Sequence, residues 1–252
     1  MNRKALDLPW VRRAQPLLGT LVEIGLRAPK ADAQAMFDAA FTRIREIQDC
    51  LSRFAPNSDV SRFNALRCGE SLRIQPCTQS VLIAARTLQL ATAGAFDVSL
   101  GTSPQGWNCI GNELHKLDDS VRLDLGGIAK GYAVDCAVQT LLEQGCVGGW
   151  VNAGGDLRSF GEADVPICLR DESTGGVRSF ASLRDGAFAT SHFARGSRSR
   201  LVRRAEMSDI AIHASVAAPL CMWADALTKI VACSGDTSHP LLARHDAVAW
   251  IH

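Results

Sequence analysis

The pattern of apolar and polar positions changes character along this chain. Residues 19–26 (GTLVEIGL) partly alternate and carry β-branched side chains, which predicts a strand ended by Pro29. Residues 31–54 place Met36, Ala40, Ile44, Ile47 and Leu51 on one face, the stripe of a long amphipathic helix. Pro56 breaks it, and Ser58 is expected to cap a short helical turn carrying Val60, Phe63 and Leu66. Residues 72–75 read as a short strand. Thr78 is expected to cap a second helix through Val81, Leu82, Ala85, Leu88 and Ala91, stopped by Gly94. Residues 97–120 are irregular, 121–125 read as a strand, and a helix is predicted from near Gly127 to Glu143, ended by Gly145.

Beyond residue 148 the pattern shortens to strands over 149–153, 156–160, 165–170, 177–183, 186–190 and 209–214. The basic stretch 195–206 reads as an exposed loop, 221–232 as a final helix and 248–251 as a final strand. Interleaved helices and strands, with hairpin-like strands in the second half, predict an α+β fold: a mixed or antiparallel sheet core flanked by helices. The expected organisation is a single domain over residues 1–252, with two subdomains as the alternative.

Composition narrows the function. Hydrophobic residues make up 47% and charged residues 21% of 252, an ordinary globular balance with room for a core. A net charge of +1 gives no reason to expect a nucleic-acid partner. No stretch suits a membrane span, so no membrane insertion is expected. The nine cysteines are scattered, odd in number and without a CxxC pair. They argue for reduced, mostly buried thiols and a cytoplasmic protein. The first residues carry early charge and no apolar signal core.

Four constellations carry chemistry. The run LDLGGIAKGYAVD at 123–135 ends an apolar segment in Asp124, Gly126 and Gly127, with Lys130 opening a helix. Glycines let backbone N–H groups approach an anion, and a helix N-terminus favours it. The same spacing also suits a structural corner with a salt bridge, and neither Walker A nor GxGxxG is present. The run VNAGGD at 151–156 is similar. Gly94, Ala95, Phe96 and Asp97 follow a helix stop, where a core phenylalanine and a capping aspartate explain the residues as well as a ligand does. In the last helix Asp225 and Thr228 share a face, an oxygen pair suited to a hard cation. The competing reading is an Asp225–Lys229 pair on a solvated face. His115, His192, His213, His239, His245 and His252 share no ligand spacing.

Taken in order, PLLGT at 16–20, residues 51–64, GAFD at 94–97, 123–135, 151–156 and ADAL at 224–227 resemble the ApbE family of FAD:protein FMN transferases. The resemblance implies an ApbE-like fold, FAD as substrate and Mg²⁺ as cofactor. It implies transfer of FMN to a threonine or serine hydroxyl of a target flavoprotein, with release of AMP. Some members hydrolyse FAD instead, and a catalytically degenerate flavin-binding or interaction relative is the further alternative. By motif, Leu18, Phe54, Ala95, Phe96, Asp97, Asp124 and Lys130 are implied to contact the nucleotide. Gly127, Asp225 and Thr228 are implied to hold the metal.

Two departures stand out. The family's His-x-x-Asp-Pro segment, whose histidine contacts FAD, is missing after the strand at 189–191. His192 and His213 are the nearest histidines, without the right neighbours, so the catalytic residue is unassigned. The hydroxyl expected four residues beyond Asp225 is replaced by Lys229, with Thr228 one position early.

Overall fold

A computed structural model describes residues 8–170, 175–193 and 212–252. Strands β1 (Trp10–Leu17) and β2 (Thr20–Arg27) form a hairpin that feeds helix α1 (Lys30–Leu51). Then come α2 (Asp59–Ala65), β3 (Ser71–Arg73), α3 (Pro76–Ala91), β4 (Trp107–Ile110) and β5 (Glu113–Lys116). Helix α4 (Ala129–Glu143) leads into β6 (Gly148–Ala153), β7 (Asp156–Gly161), β8 (Asp164–Arg170), β9 (Val177–Arg184) and β10 (Ala187–Phe193). The chain closes with β11 (Ile212–Ala218), α5 (Cys221–Ser234), α6 (Pro240–Arg244) and β12 (Val248–Ile251).

The main sheet has seven strands in the order β1-β2-β6-β7-β10-β11-β12. Every pairing in it is antiparallel, which resolves the expected mixed-or-antiparallel sheet and confirms the α+β class. β3, β5 and β4 form a separate three-stranded sheet, and β8 pairs with β9. Helix α4 packs against both α1 and α5, and all three lie on the main sheet. Their apolar stripes meet Val22, Ile24, Leu26, Val151, Ala189 and Val216 in one continuous buried core. A smaller cluster of Leu157, Ile167, Leu169 and Phe188 lies against the β8–β9 hairpin.

Several local expectations change. Strand β1 has no counterpart in the sequence reading, because exposed residues alternate with only partly buried ones along it. Thr78 does not cap α3; Pro76 opens the helix, and the buried Thr78 hydroxyl donates to Asp59 at 2.6 Å. Ser58 does cap α2, accepting from the Ser61 N–H at 2.9 Å. Residues 121–125 are extended but join no sheet. The Asn64 side chain serves their backbone instead, donating to the Leu123 carbonyl at 2.9 Å and accepting the Leu123 N–H at 2.7 Å. The supposedly irregular stretch contains the β4–β5 hairpin. None of the nine cysteines forms a disulfide, but only Cys146 and Cys221 are buried, while Cys68 and Cys168 are exposed. The basic loop at 195–206 and the start of the strand placed at 209–214 lie outside the described residues.

Candidate functional site

The segments that carry chemistry converge around the start of α4. The extended stretch 121–125 is anchored on one side by Asn64 and on the other by the Asp124 N–H, which donates to the Val98 carbonyl at 2.8 Å. Asp124 then turns the chain, accepting the Gly126 N–H at 2.9 Å and the Arg53 guanidinium at 2.9 Å. That guanidinium also lies over the Phe54 ring, 4.1 Å from its centre, and Phe54 is 77% exposed. An exposed aromatic ring backed by a cation beside a glycine turn is a surface onto which a planar ring can stack.

The β1–β2 and β6–β7 turns meet. Leu18 sits in the left-handed region with φ 55°, its N–H held by Gln48 at 2.5 Å. A side chain on Gly154 would come within 2.4 Å of the Thr20 hydroxyl, so the glycine lets the two turns touch. Asn152 closes the second turn by accepting the Gly155 N–H at 3.0 Å. Asp156, just beyond, is buried; Oδ2 pairs with the Lys130 ammonium, and Oδ1 has no hydrogen-bond partner among the described residues.

Helix α5 meets α4 at Gly131. A Cβ there would lie 2.3 Å from the Cys221 carbonyl, so only glycine permits the contact. The Gly131 N–H donates to Asp225 Oδ2 at 3.2 Å, an unsatisfied helix-terminal donor answered by a carboxylate. Asp135, one turn on, accepts the Cys221 and Met222 N–H groups at 2.9 Å each and so caps α5. It also pairs with Arg158 at 2.8 Å.

Asp225 is fully buried, and its Oδ1 pairs with the Lys229 ammonium. The same ammonium donates to the Asp225 carbonyl at 2.8 Å and to Ser191 Oγ at 3.1 Å. Burial pushes the Asp225 carboxyl upward, but Lys229 and Lys130 outweigh it and hold the pKa below its ordinary value. The i,i+4 pair anticipated from sequence is therefore real but interior. Thr228 Oγ1 is also buried, donating to the Asp225 carbonyl at 2.7 Å and lying 2.9 Å from Ser191 Oγ.

These residues do not fit the Mg²⁺ that the sequence resemblance implies. Both carboxylate oxygens of Asp225 are engaged, one by an ammonium and one by an N–H. The aliphatic stem of Lys229 lies beside Gly127, where an added Cβ would meet its Cε at 3.4 Å. A divalent ion about 4 Å from that ammonium would meet repulsion of roughly 8 kcal/mol at an effective dielectric of about 20. Among the described residues no cluster of three His, Cys, Asp or Glu side chains could hold a metal.

The remaining expected contacts divide. Lys130, Asp124 and the Gly126–Gly127 turn stand together at the start of α4, with Phe54 at the rim through Arg53. Ala95 borders α5, its carbonyl accepting from Cys233 Sγ at 3.7 Å. Phe96 is 5% exposed and belongs to the core. Asp97 serves its own loop: Oδ1 accepts from Gln89 at 3.1 Å and the Ser99 N–H at 2.9 Å, Oδ2 from Ser99 Oγ at 2.6 Å and the Gly101 N–H at 3.0 Å.

Neither nearby histidine reaches this cluster. His192 and His213 pair across β10 and β11 with rings stacked 4.2 Å apart. Successive side chains of a strand point to opposite faces, and Ser191 faces Lys229 and Thr228. His192 therefore points away. Sequence reasoning missed Arg53, Ser191 and the role of Asp156. The segments 51–64, 151–156 and 189–191 contained Arg53, Asp156 and Ser191, but nothing local singled out these side chains.

The comparisons agree with this geometry. The family model described as "ApbE family" matches residues 18–116 and 103–251. The FAD:protein FMN transferase of Rhodobacter capsulatus is 25% identical over 212 residues, covering 71% of this chain and 40% of that one. The FAD:protein FMN transferase of Chlamydia muridarum is 28% identical over 181 residues, covering 60% of this chain and 56% of its own. The chain thus spans about half the length of the curated relatives it matches. The solved flavin transferase ApbE from Vibrio cholerae superposes with a TM-score of 0.81 at 21% identity, covering 96% of this chain and 93% of that one. The ApbE protein of Thermotoga maritima gives a TM-score of 0.80 at 21% identity, covering 96% and 94%. With strand β2, the β6–β7 hairpin, the glycine turns and helix α5 inside the matched regions, this chain belongs to the ApbE family.

Proposed function

We propose that this chain binds FAD at the start of α4 and transfers its FMN moiety to a threonine or serine hydroxyl of a target flavoprotein, releasing AMP. The observation that carries the reading is the convergence of six separated sequence segments on one turn, through the Asn64–Leu123, Arg53–Asp124, Val98–Asp124, Thr20–Gly154, Lys130–Asp156 and Gly131–Asp225 contacts. The relatives named FAD:protein FMN transferase support the same chemistry.

In this reading the exposed Phe54 ring takes a flat face of the ligand, and Leu18 and Ala95 border it. Lys130 and the positive end of helix α4 face the diphosphate. Asp124 and the unpartnered Asp156 Oδ1 accept hydroxyl or base-edge protons. Phe96 and Asp97 act through the loop they shape. The acceptor oxygen attacks the FMN phosphorus, and a new P–O bond forms as the bridging P–O bond to AMP breaks. AMP leaves with the bridging oxygen, and the hydroxyl proton passes to solvent. Positioning and charge neutralisation supply most of the rate in such transfers. No step depends on Mg²⁺, for which the residues offer no open ligand set. The cysteines, none of them in a disulfide, support a reducing, cytoplasmic setting. Among the described residues no helix is long and apolar enough to cross a membrane.

The position of His192 and His213 favours a second reading, a relative that binds flavin without turning it over. Incubation with FAD and an acceptor flavoprotein separates them. AMP by chromatography and an FMN mass increment on the acceptor are expected for transfer. AMP without the increment indicates hydrolysis, saturable FAD binding without AMP supports the second reading, and absence of flavin binding contradicts both.

A further inference from the structure

We propose that Lys229 is a built-in cation that takes the place of a divalent metal, so that this chain binds its nucleotide diphosphate without one; the ligand part of this statement rests on the flavin reading above. The ammonium meets three oxygen atoms, Asp225 Oδ1, the Asp225 carbonyl and Ser191 Oγ. Carboxylate, carbonyl and hydroxyl oxygens are the donors a hard cation takes. Lys229 is 6% exposed and Asp225 0%, so the charge is fixed and largely removed from water. Its stem fills the space beside Gly127, in the turn that leads into α4.

The surrounding charges balance without an added ion. Lys130 and Asp156 form one pair, Lys229 and Asp225 the other. Thr228, the hydroxyl that could join Asp225 around a metal, instead bonds the Asp225 carbonyl and Ser191. A tethered ammonium cannot leave the chain, whereas a divalent ion brings twice the charge and exchanges with solvent. The consequence is an affinity for FAD that needs no divalent ion and is indifferent to chelators.

The test is a Mn²⁺ titration of the full chain by electron paramagnetic resonance, with and without FAD, beside a fluorescence titration of FAD in EDTA and in excess Mg²⁺. The wild type is expected to leave the free Mn²⁺ signal unchanged and to bind FAD equally in EDTA and Mg²⁺. Lys229→Thr opens Asp225 and is expected to bind Mn²⁺ at least about tenfold more tightly than the wild type. Wild-type Mn²⁺ binding that Asp225→Asn abolishes would overturn the proposal, as would FAD affinity that collapses in EDTA. A folded Lys229→Thr with no gain in Mn²⁺ affinity would overturn it too. If Lys229→Thr does not fold, Lys229→Gln and the wild-type titration decide. If the wild type binds no FAD, the flavin reading fails, while the Mn²⁺ titration still judges Lys229.

Discussion

Two buried aspartates, Asp97 expected to contact the nucleotide and Asp225 to hold a metal, have opposite surroundings. Asp97 is answered entirely by neutral donors, three of them within four residues of it. Asp225 is answered by an ammonium on its own helix and by the N–H of a residue 94 positions away. Local neutral donors fix the shape of a loop. A buried charge pair shared by two helix starts costs desolvation, and its presence calls for a reason beyond stability. The contrast separates a residue that shapes a loop from a residue in the candidate site.

The largest expected effect tests the charged side. Asp225→Ala leaves Lys229 buried without its carboxylate and should lose about 3–5 kcal/mol by urea denaturation. Adding Lys229→Met should recover most of that loss; a double variant as unstable as the single one would break the contrast. On the neutral side, Asp97→Ala strands buried donors and should cost about 1–3 kcal/mol. Its Mn²⁺ response should match the wild type.

A smaller effect concerns the cap of α5. Burial raises the Asp135 pKa, while the Met222 and Cys221 N–H groups and Arg158 offset part of the rise. The folded chain therefore holds this proton more tightly than the unfolded chain does. From the ordinary carboxylate value of about 3.9 up through the raised one, the native state binds more protons, so this contribution to stability falls as pH rises. Asp135→Asn should remove that slope from the urea midpoint measured against pH. Smallest of all, His192→Ala should leave AMP release unchanged, because the ring points to the opposite face of β10. A large loss would place that face in the reaction.

Much of the fold was legible because its signals are local. The stripe of α1, the Ser58 cap and the glycine stop after α4 each follow from neighbours in sequence. The failures have physical causes. Residues 121–125 have strand-like composition, but their backbone is served by the Asn64 side chain, a contact across 59 positions. Strand β1 lacks a fully buried face to announce it. At the site, motif order located the turn at 124–130, whereas the identity of Lys229's partners required the fold. The i,i+4 spacing of Asp225 and Lys229 is the same on a solvated face and in a core; only packing against Ser191 and Gly127 distinguishes them.

A flavin nucleotide at the start of α4, held there without a divalent ion, is the arrangement to test. The direct measurement is a crystal structure of the chain soaked with FAD and Mn²⁺, with an anomalous difference map at the manganese edge. The expected map shows the diphosphate at the Gly126–Gly127 turn within hydrogen-bond reach of Lys130, Lys229 still on Asp225, and no anomalous peak between them. A manganese peak on Asp225 with Lys229 displaced, or flavin bound elsewhere on the chain, would contradict it.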